Sequence, residues 1–530
     1  MHGIKIGKNA IENLTIGMYS ESKIIFREYI QNAADQIDKA ISTNMFPEED
    51  LCIEINIEPN LRYIAIKDNA TGIPRVDVAK KLAYVADSEK EKGVDKGFRG
   101  IGRLGGLAYC DTLRFITSYK GERVKTIMTW DAKQLVQLIE DNTVKDSAEE
   151  VLQEVIKYDE EPCGEEEHFF IVEMLGIRKE NSELLNIEAV RKYVSSNAPI
   201  AYQSKFYFRT KIYDFLKKHS LPLNEYKIFI NDEDVFKLYT TYLYDNKTGQ
   251  KRKYDDIFDI QIKTFERSNG ELLAWMWYGI SSFEKTIPES VNDMKGIRLR
   301  QANIQLGDER TLSGFFKEPR GNSYFVGEIH AVHKELVPNA RRDYFNENIA
   351  RVELEAHLKY YFADTLHKLY HGANKAKNAF KKDISLKQKQ IEYQEKQKNG
   401  FVDKKEQEKI EHEIEQKKAE NEKAIKEIRN LKAKVAYGEP LDKVIKKIEK
   451  NYQQKIKSDM ICKTTEVNEP PAQPLEKQSI KRPTLIVDEL SKLSKKERKL
   501  VSKIYSIIND ILPPDLSQNL IKKIQEELKK

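Results

Sequence analysis

Four cysteines are all that 530 residues contain, and Cys52, Cys110, Cys163 and Cys462 are widely spaced with no CxxC pair. That spacing argues against both a zinc site and a disulfide framework, and it places the chain in a reducing cytoplasm. No apolar run reaches the roughly 20 residues that a membrane-spanning helix needs. Nothing at the start has the charged, then apolar, then small-residue order of a signal peptide, so no membrane partner is expected. An excess of one charge is lacking too: 90 Lys and Arg against 85 Asp and Glu leave +5, which is not a polycation. The pattern GxxxxGK[ST] is absent, which argues against a P-loop enzyme.

What is present is length enough for several domains, and a third of the residues charged, many of them toward the C-terminus. The stretch Ile25–Asp38 organises the rest. Read as a helix, it puts Phe26, Ile30, Ala33 and Ile37 on one stripe and Glu28, Asn32 and Asp35 together on the other side. Alone, that is an amphipathic surface helix with a solvated polar face. A second motif follows the β-rich run 61–67, where the chain reads Asp68-Asn69-Ala70-Thr71-Gly72-Ile73-Pro74. An acid at a strand end before turn formers also occurs in ordinary turns.

The third motif is the cluster 97–106, with glycines at 97, 100, 102, 105 and 106, flanked by Lys90, Lys92, Lys96, Arg99 and Arg103. Glycines among cations suit a backbone that approaches phosphates through its N–H groups. Gly100-x-Gly102-x-x-Gly105 also spells a dinucleotide fingerprint. That fold needs a buried strand immediately before the first glycine, whereas 88–96 is a charged loop.

In this order the three motifs resemble the GHKL ATPase superfamily, which includes gyrase, the ninety-kilodalton heat-shock chaperones, histidine kinases and MutL. The resemblance covers about the first 130 residues. It implies a two-layer α/β ATPase domain of Bergerat type that binds ATP with Mg²⁺. By the same resemblance, Glu28 is the general base for attacking water, Asn32 the magnesium ligand and Asp35 a second acid of that helix. Asp68 is the carboxylate that reads the adenine amino group, and Gly72 closes the nucleotide floor. Lys90, Gly97, Arg99, Gly100, Gly102, Gly105 and Gly106 belong to the ATP lid. Ala70 departs from the glycine often found there, and Glu167-His168 stands where relatives open a strand with Gly-Thr. His168 is therefore read as structural. The chemistry agrees: a positioned carboxylate contributes roughly 10²–10⁴-fold as a base, and magnesium takes hard oxygen ligands.

Taken in order, residues 1–20 are a lead-in that crosses to a partner in dimeric relatives, or else a first edge strand. The ATP-binding domain is expected over 1–180 and a second α/β domain over 181–351, resembling the transducer that sends a cation to the γ-phosphate in MutL and the heat-shock chaperones. Arg298 and Arg300, in the run 295–304, are the candidate catalytic cations; a solvated strand is the alternative. Arg341 and Arg342 form a second cationic spot. Residues 352–462 read as helical and coiled-coil: Ile410, Ile414, Lys417, Asn421, Ala424, Ile428, Leu431 and Val435 alternate steps of four and three. A single solvated helix is the rival reading. A Pro-rich linker is expected over 463–483 and a small helical tail module over 484–530.

The functional expectation is an ATP-dependent conformational switch, a homodimer joined through ATP-gated N-terminal domains and the coiled coil. Its client is a protein or DNA. Loss of a chaperone-like C-terminal domain brings it near the MORC type, found also in genome defence. Two other classes remain: a histidine-kinase-like phosphotransferase, which would place its acceptor His before the ATP domain, and a non-hydrolysing ATP-sensing scaffold, against which Glu28 argues.

Overall fold

A computed structural model describes residues 6–14, 21–84, 102–141, 143–144, 146–245, 252–464, 490 and 492–529. The chain divides into two compact units, 1–367 and 368–530.

In the first unit, β1 (Cys52–Glu58) and β2 (Tyr63–Asp68) pair antiparallel about a 3₁₀ turn at Pro59–Leu61. Their alternation buries Ile53, Ile55, Ile57, Ile64 and Ile66 on one face, as a half-covered sheet requires. The strands β3 (Thr112–Ser118), β4 (Val124–Asp131), β5 (Ile156–Pro162) and β6 (Phe169–Leu175) extend the same sheet. The short lead helix α1 (Asn9–Leu14) is followed by α2 (Ile24–Ser42). Phe26, Ile30, Ala33 and Ile37 of α2 pack on the β1 and β2 isoleucines in one core. Each fully buried large side chain there contributes about 1.5–3 kcal/mol. The stripe read from the sequence is thus the packing face. Further helices are α3 (Val78–Ala83), α4 (Ala132–Glu140), and α5 (Ala148–Val155) with its Ser147/Glu150 capping box.

The sheet has eight strands, in the order β5-β4-β3-β6-β2-β1-β7-β8. Its last two, β7 (Lys227–Ile230) and β8 (Glu233–Asp234), come from beyond residue 180. β7 runs parallel to β1, with Cys52 opposite Lys227 and Ile55 opposite Ile230. The expected boundary near 180 is therefore crossed by the sheet. An unpaired β1 edge would expose a row of backbone donors and acceptors, and the later chain covers it.

After α6 (Ile187–Asn197) and α7 (Arg209–Lys218) comes a ribbon of β9 (Tyr242–Asp245) and β10 (Arg252–Asp256). A five-stranded sheet then orders β11 (Asp259–Glu266), β12 (Leu272–Ile280), β15 (Val326–Ala331), β13 (Gly296–Gln301) and β14 (Ile304–Leu306) as β11-β12-β15-β13-β14. Buried along nearly its whole length, β12 turns Trp275 and Trp277 toward Ile212 and Leu216 of α7. On its other face, Tyr278 meets Tyr361, the last residue of α8 (Ile349–Tyr361).

The second unit is an arm of α9 (His367–Asn399), α10 (Lys404–Ala433) and α11 (Pro440–Thr464), followed by tail helices Lys495–Ile511 and Pro514–Lys529. α9 and α10 run antiparallel about Gly400 (φ 88°). Lys389–Glu413 at 2.7 Å, Lys417 Nζ to Ser385 Oγ at 2.8 Å and Asn421 Nδ2 to Asp383 Oδ1 at 3.0 Å mark the register. Ile410, Asn421 and Ile428 are buried in this arm. Three positions of the α10 heptad face are thus covered by the arm itself.

Candidate functional site

Acids on a surface helix ordinarily face water, yet Glu28 and Asp35 of α2 are each only 8 % exposed. The 3₁₀ segment Gly102–Ala108 lies against this helix. A Cβ on Gly102 would sit 2.6 Å from Glu28 Oε2, so glycine there permits the approach. Tyr29 fixes the segment: its hydroxyl donates to Arg103 O at 3.1 Å and accepts from the Gly106 N–H at 2.8 Å. Gly105 is buried in the same turn. Arg103 donates to the carbonyls of Leu82 and Tyr84. The sequence candidates Lys90, Gly97, Arg99 and Gly100 lie outside the described residues. Asn32 follows Glu28 by one helical turn, and Asp35 follows Asn32 by three residues on the same side.

Asp68 ends β2, with Phe170 of β6 and Ile53 of β1 as its register partners. At 2 % exposure, burial pushes its carboxyl up to about 7, against the pull of the Ala70 N–H at 3.1 Å and Lys67. The loop that follows is held from several sides. Ile73 N donates to Thr117 Oγ1 at 2.8 Å, Thr71 Oγ1 to Gln36 Oε1 at 3.1 Å, and Asn69 Oδ1 accepts from Cys52 N at 2.8 Å. His168 Nδ1 lies 2.8 Å from Ala70 O, and its ring stacks on Phe46 with centroids 3.7 Å apart. His168 thus makes the structural contact expected of it. Gly72 has φ +66°, and a Cβ there would collide with the Ser118 carbonyl. A cradle that only glycine fits, with a buried unneutralised acid at its edge, suits a flat polar ligand with a hydrogen-bond donor on its rim.

Two cations stand beside Glu28, Arg27 of the same helix and Arg342. Arg342 Nε lies 3.5 Å from Glu28 Oε1, and Arg27 Nη2 lies 3.3 Å from the same oxygen. Arg342 occupies a loop closed by Asn339 N to Tyr344 O at 2.9 Å and by an Asn339–Asp343 side-chain bond. It is held at φ 54°, and its carbonyl accepts from Gly307 N at 2.9 Å. Left-handed backbone is uncommon for a bulky residue, and here it stands beside a buried acid. Arg27, Arg298, Arg341 and Arg342 line one cleft of about 980 Å³.

The two cations expected from the sequence behave differently. Arg298 lines that cleft, with Nη1 on Gln305 Oε1 at 2.9 Å and Nη2 on Asp293 O at 2.6 Å. Arg300 is fully buried, and its nitrogens bond Glu328 Oε1, Asn303 O and Ser196 O. Lys237, Tyr202, Trp277 and His330 also meet Glu328. Burial opposes ionisation of Glu328, but Arg300 and Lys237 outweigh it and hold its carboxyl well below the usual range. Each nitrogen of Arg300 thus has a buried partner, and Arg300 is not among the residues that line the cleft. Tyr29, Gln36, Thr117 and Arg27 were missed. Arg27, Tyr29 and Gln36 lie inside the stretch 25–38 but are neither its acids nor Asn32, Thr117 lies in no motif, and Tyr29 reads simply as one more apolar position on the packed stripe.

The fold and these positions define the class: residues 19–161 match the family described as histidine kinase-, DNA gyrase B-, and HSP90-like ATPases. This N-terminal region is a GHKL-type ATPase domain. Among curated proteins, the chain is similar to the chaperone protein HtpG of Psychrobacter arcticus, 28 % identical over 135 residues, which is 22 % of this chain and 21 % of that protein. It is also similar to HtpG of Idiomarina loihiensis, 33 % identical over 94 residues, 16 % of this chain and 15 % of the relative. The chain thus spans about a fifth of the length of the first of these relatives, or less. No described helix is long and apolar enough to cross a membrane.

Proposed function

We propose that this chain binds ATP between α2 and the Asp68 loop, hydrolyses it, and uses the cycle to switch its shape around a protein client. The observation that carries the reading is Glu28, a buried helix acid covered by the Gly102 turn and faced by an arginine from the loop that follows the second sheet. Asp68 would accept a hydrogen bond from the adenine amino group, with Gly72 and Thr117 holding the floor. Glu28 would take the proton from attacking water, a contribution of roughly 10²–10⁴-fold. Arg342 would offset negative charge developing on phosphoryl oxygens.

Magnesium, when bound with the triphosphate, would neutralise phosphate charge. The donors fit it, since Asn32 offers a hard amide oxygen on the side of α2 that carries Glu28 and Asp35. Among the described residues no cluster of three or more His, Cys, Asp or Glu could hold a metal alone. One amide oxygen plus phosphate oxygens and water is an ordinary magnesium set.

Because the loop of Arg342 is tied to Gly307 at the end of β14, the phosphate state of the ligand would be felt at the second sheet, which is what a switch requires. The test is ATP hydrolysis by purified protein with and without magnesium. Release of phosphate that fails in Asp68→Asn supports the reading, and absence of both binding and hydrolysis overturns it. A protein client would bind with little salt dependence, whereas log affinity for DNA would fall linearly with log salt.

A further inference from the structure

Arg342 lines two hollows. One is the large cleft beside Glu28, and the other is a cavity of about 190 Å³ that the nucleotide reading leaves unused. This second hollow is walled by the turn between β13 and β14, the end of β15 with the loop after it, the segment 222–224 and Gln31 of α2. Gln31 is 1 % exposed and follows Glu28 by three residues on that helix. The turn is Ala302-Asn303, both in left-handed backbone at φ 45° and 62°, the geometry of a tight two-residue hairpin. Asn303 is locked further: its Oδ1 accepts from Lys237 Nζ at 2.6 Å and its Nδ2 donates to Asn224 O at 2.7 Å.

Three features of the wall specify a ligand. Leu223, Ile304, Leu306 and Val337 make much of it apolar. Trp275 belongs to the same wall, fully buried and stacked on His330 with centroids 4.2 Å apart, and its indole N–H has no acceptor among the described residues. Buried donors ordinarily have one, because a hydrogen bond left unmade away from water is costly. The third feature is one-sided charge: Arg342 and the exposed Lys334 line the cavity, and its described lining residues include no acid. Burial holds the His330 pKa down to about 4, so that ring adds no charge at neutral pH. Glu328, which His330 touches, is already matched by Arg300 and Lys237.

We propose that this cavity is a binding site for a small organic carboxylate with a compact apolar body. The body would fill the aliphatic part, a carboxylate oxygen would accept from the Trp275 N–H, and Lys334 with Arg342 would balance the charge. Size bounds the ligand: a cavity of about 150 Å³ is enough for benzene, so one ring and one carboxylate come close to the limit here. A neutral molecule would leave the two cations unmatched, and a phosphate would gain nothing from the apolar wall. Occupancy would also be felt at Glu28, a consequence that rests on the nucleotide reading. A carboxylate that holds Arg342 competes with Glu28 and with phosphoryl oxygens for one guanidinium, so hydrolysis should slow.

The experiment titrates benzoate into the full chain, first without nucleotide. The chain has three tryptophans, so isotope labelling of the indole nitrogens gives three N–H signals, and Trp275→Phe identifies the one from Trp275. That signal should move downfield and saturate below about 10 mM benzoate, whereas benzyl alcohol, its uncharged counterpart, should bind at least about tenfold more weakly. Lys334 is exposed, so Lys334→Gln should melt like the parent while binding benzoate at least about threefold more weakly. A Trp275 signal that stays still overturns the site, and so does benzyl alcohol bound as well as benzoate, or benzoate bound equally by Lys334→Gln. Phosphate release from ATP is then measured with the cavity saturated. A fall of at least about fivefold supports the coupling through Arg342, and turnover indifferent to bound benzoate overturns it. A chain that releases no phosphate at all overturns the coupling together with the nucleotide reading, while the indole signal still decides the site.

Discussion

Arg342 Nε lies 3.5 Å from Glu28 Oε1, joining a loop of the second sheet to the helix that carries the acid. Arg342→Ala should therefore lower kcat by about 10²–10³-fold while nucleotide affinity stays within about threefold, the mark of an interaction made mainly in the transition state. Arg342→Lys should recover only part of the loss, because an ammonium lacks the planar fork. Equal losses in affinity and turnover would instead place Arg342 in ground-state binding.

Arg300→Leu should behave as a stability variant. It strands Glu328, fully buried, with Lys237 as its remaining close full charge. Breaking one side of a buried ion pair costs about 3–5 kcal/mol, so denaturant midpoints should fall steeply. Whatever protein remains folded should hydrolyse ATP at a parent-like rate per molecule.

Asp68 ties affinity to pH. In the fold its proton is held to about 7, above the ordinary value of 3.8. The adenine amino group needs the ionised carboxylate, so ATP affinity should rise with pH from 6 to 8, by about tenfold between 6 and well above 7. Stability of the ligand-free protein runs the other way. A folded state that keeps its proton longer than the unfolded one gains stability that is full below about 4 and lost as pH rises through 7. Asp68→Asn should flatten both curves. Calorimetric titrations and melts across this range measure them.

The two glycines that frame the site should separate. In Gly72→Ala the new methyl meets backbone, the Ser118 carbonyl, at a left-handed φ; affinity or folding itself should fail. In Gly102→Ala it meets the flexible end of Glu28. Binding should survive and kcat should fall, as measured by ATP titration beside steady-state turnover.

Much of the first domain could be read from residues alone. Spacing alone gives the packing face of α2 and the alternation of β1 and β2, whereas the roles expected of Glu28, Asp68, Gly72 and Gly102 come from the resemblance that the three ordered motifs carry together. The cation could not be read that way, because Arg298 and Arg300 alternate onto one face of β13 and only packing decides that Arg300 closes on Glu328. Arg342 stands in the sequence only as the fallback to them, beside Arg341 in a second cationic spot, because no neighbouring residue announces its left-handed backbone. The arm is ambiguous in the sequence for a related reason. A heptad face looks the same whether its partner is another copy or the next helix of the same chain, and the Asp383 that meets Asn421 lies in a different helix.

The most direct test of the account is single-turnover hydrolysis by Glu28→Gln, paired with ATP binding. The amide keeps the shape of the side chain and removes the base. The account predicts ATP affinity within about threefold of the parent and a chemical step slower by about 10²–10⁴-fold. A variant that hydrolyses ATP at the parent rate would contradict it.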